Sequence, residues 1–211
     1  MSEAVETRRA RIARRQVDKF GERRAELAAA ALHTLAELGF ARTSLREIAQ
    51  NSEFSHGVLH YYFTDKADLL TEAVRQFEAV CVTRYDELVV SATAADQLRT
   101  DFAHALAGTL AEDARVHRLW YDLRNQSLFD AAFRKDVLEL DDRRSDMIWR
   151  VVDRYADLAG ATVTVAPHIA YAMLDGIFEQ ALLRHLCEDE SAVRDLPGVV
   201  ENVLTTIIAR V

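Results

Sequence analysis

His56, Gly57, His60 and Tyr61 fall within six consecutive residues, at spacings that place them on one side of a helix. Imidazole nitrogens and a phenolic hydroxyl both donate and accept hydrogen bonds. A glycine beside them lets a large partner approach the backbone. This is a chemistry of reading a polar surface rather than of making bonds. Thr43, Ser44 and Ser55 stand just ahead of two short apolar segments, where hydroxyl residues cap helices and leave N–H groups suited to an anion such as phosphate. Arg46, Tyr62 and Lys66 add groups able to reach a phosphate backbone.

Bond-making chemistry lacks its usual motifs. The chain has no G-x-S-x-G, no H-E-x-x-H, no glycine-rich phosphate loop and no cysteine cluster. His104, His117, His168 and His185 show no metal spacing, and Cys81 and Cys187 lie far apart. The expectation is a non-enzyme that takes no cofactor and no metal, with reduced cytoplasmic thiols. No stretch approaches the roughly 18 apolar residues of a membrane span, and the arginine-rich start lacks the apolar core of a secretory signal. A cytoplasmic protein, nucleoid-associated when on DNA, is therefore expected.

The elements that position these residues are read from periodicity. With 7 Gly and 2 Pro in 211 residues and half the chain hydrophobic, the composition predicts an all-α fold. Residues 1–21 read as a mobile basic arm. Leu27, Ala28, Ala31, Leu32, Leu35 and Leu38 then mark a first helix ending at Gly39. Thr43 or Ser44 caps a second helix, Ser44 with Glu47 making a capping box, and Ser55 is the cap candidate of a third over His56–Tyr62. A fourth helix is predicted from Lys66 to about Leu88, a fifth over about 95–113, a sixth over about 115–127 and a seventh over about 131–158. An eighth is predicted over 167–186 and a ninth from Pro197 onward. Two helices joined by a tight turn, the second carrying the polar outer face, are the helix-turn-helix arrangement whose second helix enters the major groove.

Charge supports that reading despite a net of −8. Residues 1–66 hold 11 Lys and Arg against 9 Asp and Glu, a net of +2, while the rest carries −10. Eight basic residues lie between Arg8 and Arg24. A basic front on an acidic body suits one end meeting phosphate, and such an arm can enter a minor groove.

The run Gly39-Phe40, Thr43-Ser44-Leu45-Arg46-Glu47-Ile48-Ala49, Phe54-Ser55-His56-Gly57-Val58-Leu59-His60-Tyr61-Tyr62-Phe63 and Lys66 through Leu69-Leu70 resembles the signature of the TetR family of bacterial transcriptional regulators. The match covers about residues 24–75 and combines core, caps and turn. Two positions depart from it. Ser52-Glu53 replaces the usual Ala-Gly of the turn, where a left-handed non-glycine residue costs roughly 1 kcal/mol, and His60 replaces a frequent tyrosine. The resemblance implies an all-α homodimer, with an N-terminal three-helix DNA-binding domain over 22–67 and a C-terminal effector-binding and dimerisation domain over 68–211. It implies DNA contact by Thr43, Ser44, Arg46, Ser55, His56, Gly57, His60, Tyr61, Tyr62 and Lys66. The implied function is a repressor released from a palindromic operator by a small molecule. Activation, or an effector-independent helical DNA-binding or interaction protein, stands as the alternative.

The C-terminal part is less explicit. Ile169, Met173, Ile177, Ala181 and Leu182 form one apolar line on the eighth helix, and Tyr171, Leu174 and Phe178 a second. With Val199, Val203, Leu204, Ile207 and Ile208 on the ninth, this is more apolar surface than one core needs, which predicts a homodimer through about 167–186 and 197–211. Phe102, His104, Leu106, Trp120, Tyr121, Arg124, Trp149, Tyr171, Asp175 and Phe178 are the candidate effector-binding residues, although an aromatic stripe at helical spacing equally makes core. Arg124, Asp175 and His104 are the polar groups suited to orient a ligand, and the segment 117–124 reads as a gate or a link. The fourth helix is the covalent path from this part to the DNA-binding head.

Overall fold

The computed structural model describes the backbone of residues 2–40 and 42–210 and the side chains of residues 19–40 and 42–209. The chain divides into two compact units, residues 1–77 and 78–211. The first unit reaches past residue 67 because the start of its fourth helix is part of its core: Leu69, Leu70, Ala73 and Val74 are all buried.

In order along the chain the helices are α1 (Ser2–Leu38), α2 (Leu45–Gln50), α3 (His56–Tyr62), α4 (Lys66–Cys81), α5 (Asp86–Ser91) and α6 (Ala95–Phe129). A 3-10 turn at Ala131–Phe133 leads to α7 (Arg134–Ala159), β1 (Ala161–Val163), α8 (Pro167–Leu186), α9 (Ser191–Thr206) and β2 (Ile208–Arg210). The all-α expectation holds apart from the two short strands. Among the described residues no helix is long and apolar enough to cross a membrane.

α1 stops where Gly39 takes φ 77°, a left-handed turn that closes with its N–H on the Leu35 carbonyl at 2.8 Å. The stretch expected as a separate arm belongs to this helix; the arginines that mark it, Arg8 to Arg15, lie outside the described side chains. Asp65 begins α4 by accepting from the Asp68 N–H at 2.9 Å.

The second unit departs from periodicity in four places. The fourth helix ends at Cys81 rather than near Leu88, because residues 82–85 turn Tyr85 inward, where it is buried and shares a 3.0 Å hydrogen bond with Thr109. The fifth and sixth predicted helices are one, α6, kinked at Asp113 (φ −114°, ψ 15°). The kink needs no proline. The Thr109 hydroxyl donates back to the Ala105 carbonyl at 3.0 Å, which bends helices, and Arg84 holds Thr109 and Asp113 together at 3.0 and 2.5 Å. The connection after Gly160, itself left-handed at φ 60°, is β1, which pairs antiparallel with β2 so that Thr162 faces Ala209. Finally, α9 starts at Ser191 and carries Pro197 in its interior. Asp189 nucleates it earlier than the proline would, accepting from the Ser191 N–H at 2.9 Å and the Ser191 hydroxyl at 2.6 Å. α6 packs on α7, α8 and α9, and the core of this unit lies among them.

Candidate functional site

In the first unit, caps fix the two short helices. Ser44 Oγ accepts from the Glu47 N–H at 3.2 Å while the Glu47 carboxylate accepts from the Ser44 N–H at 2.8 Å, the reciprocal pair expected. Ser55 Oγ accepts from the Val58 N–H at 3.3 Å. The turn between them is unstrained: neither Ser52 nor Glu53 takes a positive φ, and Ser52 Oγ accepts from the Phe54 N–H at 3.3 Å. The strain expected of the Ser52-Glu53 departure is absent because the turn closes through this hydroxyl rather than through a left-handed residue.

α3 is two-sided. Leu59 and the following Phe63 are fully buried, with Leu45 and Ile48 of α2. Its other side carries Ser55, His56, Gly57, His60 and Tyr61, all exposed, the last to 72%. A Cβ added to Gly57 meets nothing within 4 Å, so the fold does not require glycine there. The imidazoles of His56 and His60 meet edge to face with Nε2 atoms 3.1 Å apart. Arg46 and Ser44 of the α2 region are exposed as well.

Three residues of the expected set have structural partners. Thr43 is buried and its hydroxyl donates to the Gly39 carbonyl at 2.6 Å. Lys66 Nζ donates to the Phe40 carbonyl at 2.6 Å and lies 3.9 Å from the centre of the Phe40 ring. Both therefore hold the end of α1. Tyr62 is half-buried between Phe20 and Tyr61, ring centres 4.7 and 5.0 Å away. Arg24, which the charge count assigns to the basic front, is a staple: it donates to the Tyr62 carbonyl at 2.8 Å, grips Asp68 with both terminal nitrogens and lies over the Phe63 ring. Burial works to raise the Asp68 carboxyl, but the hydrogen bonds from Arg24 and Thr64 outweigh it and hold it below the usual range.

In the second unit a half-open cavity of about 50 Å³ is lined by Cys81, Arg84, Leu106, His117, Ile148 and Phe178, among others. Leu106, Tyr171, Asp175 and Phe178 of the expected effector-binding set reach its wall. Phe102, Trp120 and Tyr121 are buried elsewhere in the core. His104 is exposed, tied to the Thr100 carbonyl, and Trp149 lines a separate surface depression with Val89 and Arg150. Those two are not brought to the cavity, because their helices turn these positions outward. Within residues 117–124, Leu119, Trp120 and Leu123 are core of α6, and His117 lines the cavity.

Buried charge surrounds the cavity. Arg144 grips the fully buried Glu78 through two hydrogen bonds of 2.9 and 2.5 Å, stacks over Trp120 at 4.6 Å and donates toward His117 Nδ1 at 3.4 Å. Arginine has no acceptor, so His117 must present a lone pair there and be neutral. Burial first, then the charges of Arg144 and Arg84, push the His117 imidazole well below its ordinary value. Burial likewise pushes the Cys81 thiol and the Tyr85 phenol up to about 12 each. Asp175 accepts from the Tyr121 hydroxyl at 2.9 Å and from Arg124 at 2.5 Å, and the Tyr171 hydroxyl donates to Asp141 at 2.8 Å. Arg124 and Asp175 thus satisfy one another.

Residues 27–73 match the model of the bacterial regulatory proteins of the tetR family. This N-terminal segment is therefore of the TetR type. The chain is 27% identical over 185 residues to the HTH-type transcriptional repressor KstR2 of Rhodococcus jostii (strain RHA1), covering 74% of this chain and 91% of that one. The fold superposes on a TetR-family transcriptional regulator of Rhodococcus sp. with a TM-score of 0.70 at 19% identity, covering 90% of this chain and all of that one. It also superposes on the Bacillus subtilis regulator FadR in complex with stearoyl-CoA, with a TM-score of 0.68 at 17% identity over 86% and 97% of the two chains. These likenesses indicate a DNA-binding transcriptional regulator.

Several residues of this chain escape a reading by motif. Phe20 packs on Tyr61 and Tyr62 although an arm was expected there. Glu78, Arg84, Thr109 and Arg144 join from positions up to 66 residues apart, and no local spacing announces such partners.

Proposed function

We propose that the chain is a homodimeric repressor that holds a palindromic operator with α3 and releases it when a small molecule enters the second unit. The observation that carries the DNA-reading role is the outer side of α3, where His56, Gly57, His60 and Tyr61 are all exposed on a helix anchored by the fully buried Leu59. Arg46, Ser44 and Ser55 sit beside it as phosphate contacts, Tyr62 packs against Tyr61, and Thr43 and Lys66 hold the end of α1. Dimerisation is supported by the outer sides of α8 and α9, where Ile169, Leu183 and Val199 are 42%, 64% and 45% exposed. Apolar side chains so placed are covered in a two-fold four-helix pairing. Such a dimer presents its recognition helices about 34 Å apart, one turn of B-DNA.

The cavity beside Arg144 and His117 is the proposed effector site. At about 50 Å³ it is far below the roughly 300–1,000 Å³ of ligand pockets, so an effector must open it. That small volume favours a second reading, an effector-independent DNA-binding protein. Both are tested by selecting duplexes from a random pool with the purified protein and repeating the selection with His56→Ala/Tyr61→Ala. The expected result is a palindromic consensus bound by a dimer and lost in the double variant. Stearoyl-CoA, the ligand of the FadR structure, is the first effector probe, scored by thermal shift and by operator release. A protein that remains a single subunit at working concentration, or prefers no duplex over random DNA, defeats the main reading. A palindrome whose complex no acyl-CoA or screened small molecule weakens selects the second.

A further inference from the structure

We propose that His56 and His60 form a two-imidazole chelating site for a divalent transition-metal ion on the outer side of α3, and that an ion held there excludes DNA from this face. The exclusion half rests on the proposed DNA-reading role; the chelation half does not.

The geometry carries the proposal. Residues four apart on a helix stand one above the other on the same face. Here the two Nε2 atoms lie 3.1 Å apart, with the rings edge to face. An ion bound by imidazole sits about 2.05 Å from each nitrogen, so two nitrogens 3.1 Å apart subtend about 98° at it, between the square-planar and tetrahedral values. The separation therefore suits a bidentate chelate, reached by turning the two rings so that both Nε2 lone pairs meet the ion. In the free protein one imidazole must donate to the other, which accepts. An ion replaces that single proton and lets both Nε2 lone pairs coordinate. The exchange is balanced: two metal–nitrogen bonds form as two water ligands leave the hydrated ion, and the imidazole that donated through Nε2 shifts its one ring proton to Nδ1 by way of water, so one N–H bond breaks and one forms.

Both residues are exposed, so the ion needs no entry path and can complete its coordination with water. Among the described residues no group of three or more His, Cys, Asp or Glu converges for a metal, so the site is open rather than a closed structural centre. An open site of this kind suits a reversible ion such as Cu2+, Ni2+ or Zn2+, which follow imidazole affinity.

The test has two arms. In the first, the full chain without DNA is titrated with Cu2+ by calorimetry and by electron paramagnetic resonance. His60→Gln is the comparison, since glutamine keeps a hydrogen-bonding partner for His56 and removes the chelate. The wild type is expected to take up one Cu2+ per chain with two-nitrogen coupling, at least roughly tenfold tighter than His60→Gln or His56→Ala, because the second imidazole acts at high effective concentration. Affinities equal within twofold overturn the site. In the second arm, a duplex selected from a random pool by the metal-free wild type is bound with and without Zn2+, and the ratio of the two affinities is compared between wild type and His60→Gln. A metal-dependent loss of at least tenfold in wild type and none in the variant is expected. Equal responses overturn the exclusion. Failure of the metal-free protein to select any duplex defeats the proposed function instead, and the chelation arm still decides the site.

Discussion

The two units place their polar groups in opposite ways. In the first, the groups on α3 are exposed and contributed by neighbours in sequence, while the apolar partners Leu59, Phe63 and Ile48 do the folding. In the second, Glu78, Arg144, His117 and Asp175 are buried and contributed from distant helices, so the charges themselves are part of the fold. A surface that reads a partner can change its side chains with little loss of stability. An interior that encloses charge cannot, because an unpaired buried ion has no solvent to replace its partner.

The largest expected effect follows from that contrast. Arg144→Met leaves Glu78 buried without its cation and lowers stability by about 3–5 kcal/mol, whereas Glu78→Leu/Arg144→Met recovers most of it. Chemical denaturation of the three proteins measures both; a single variant that unfolds like wild type removes the distinction between the units.

His117 gives the next effect and a pH signature. Its imidazole titrates well below the ordinary value near 6.5, so below about pH 6.5 the unfolded chain takes up a proton that the folded chain refuses. Stability then falls with falling pH by up to about 1.4 kcal/mol per unit, until the folded imidazole itself titrates. His117→Phe should flatten the denaturation midpoint between pH 6.5 and 5; an unchanged slope places the titrating group elsewhere.

Gly57 tests the other unit. Its Cβ position is open, so Gly57→Ala should fold at least as well, gaining up to about 1 kcal/mol from helix propensity. On DNA the added methyl stands where a duplex must approach, and binding is expected to weaken about tenfold, near 1.4 kcal/mol. Unaltered affinity in a mobility-shift titration means that this side of α3 does not face DNA closely.

The smallest effect separates backbone strain from both units' chemistry. Glu188 takes φ 63° after α8, a left-handed conformation that favours glycine. Glu188→Gly should raise stability by about 0.5–1 kcal/mol in thermal melts and leave DNA binding unchanged.

The legibility of each region follows the same division. α2 and α3 are readable because their signals are local: a capping box at Ser44 and Glu47, a cap at Ser55, and a buried Leu59 between polar neighbours. The ends of α4, α6 and α9 are not, because each is set from outside its own segment. Tyr85 turns in to reach Thr109, Arg84 bridges Thr109 and Asp113 at the kink, and Asp189 starts α9 ahead of its proline. β1 and β2 are three residues each and exist only as each other's partners. Of the expected effector-binding residues, helical periodicity could not tell Phe178, on the cavity wall, from Phe102 in the core, nor foresee that His104 faces solvent.

By itself the sequence determined the helical class, the helix-turn-helix and the identity of the outward groups on α3, since these depend on propensity, capping and spacing within a few residues. Tertiary structure alone decided which charges are buried together and where α6 bends. Those outcomes depend on rotamers and on partners tens of residues away, for which a linear pattern holds no distance.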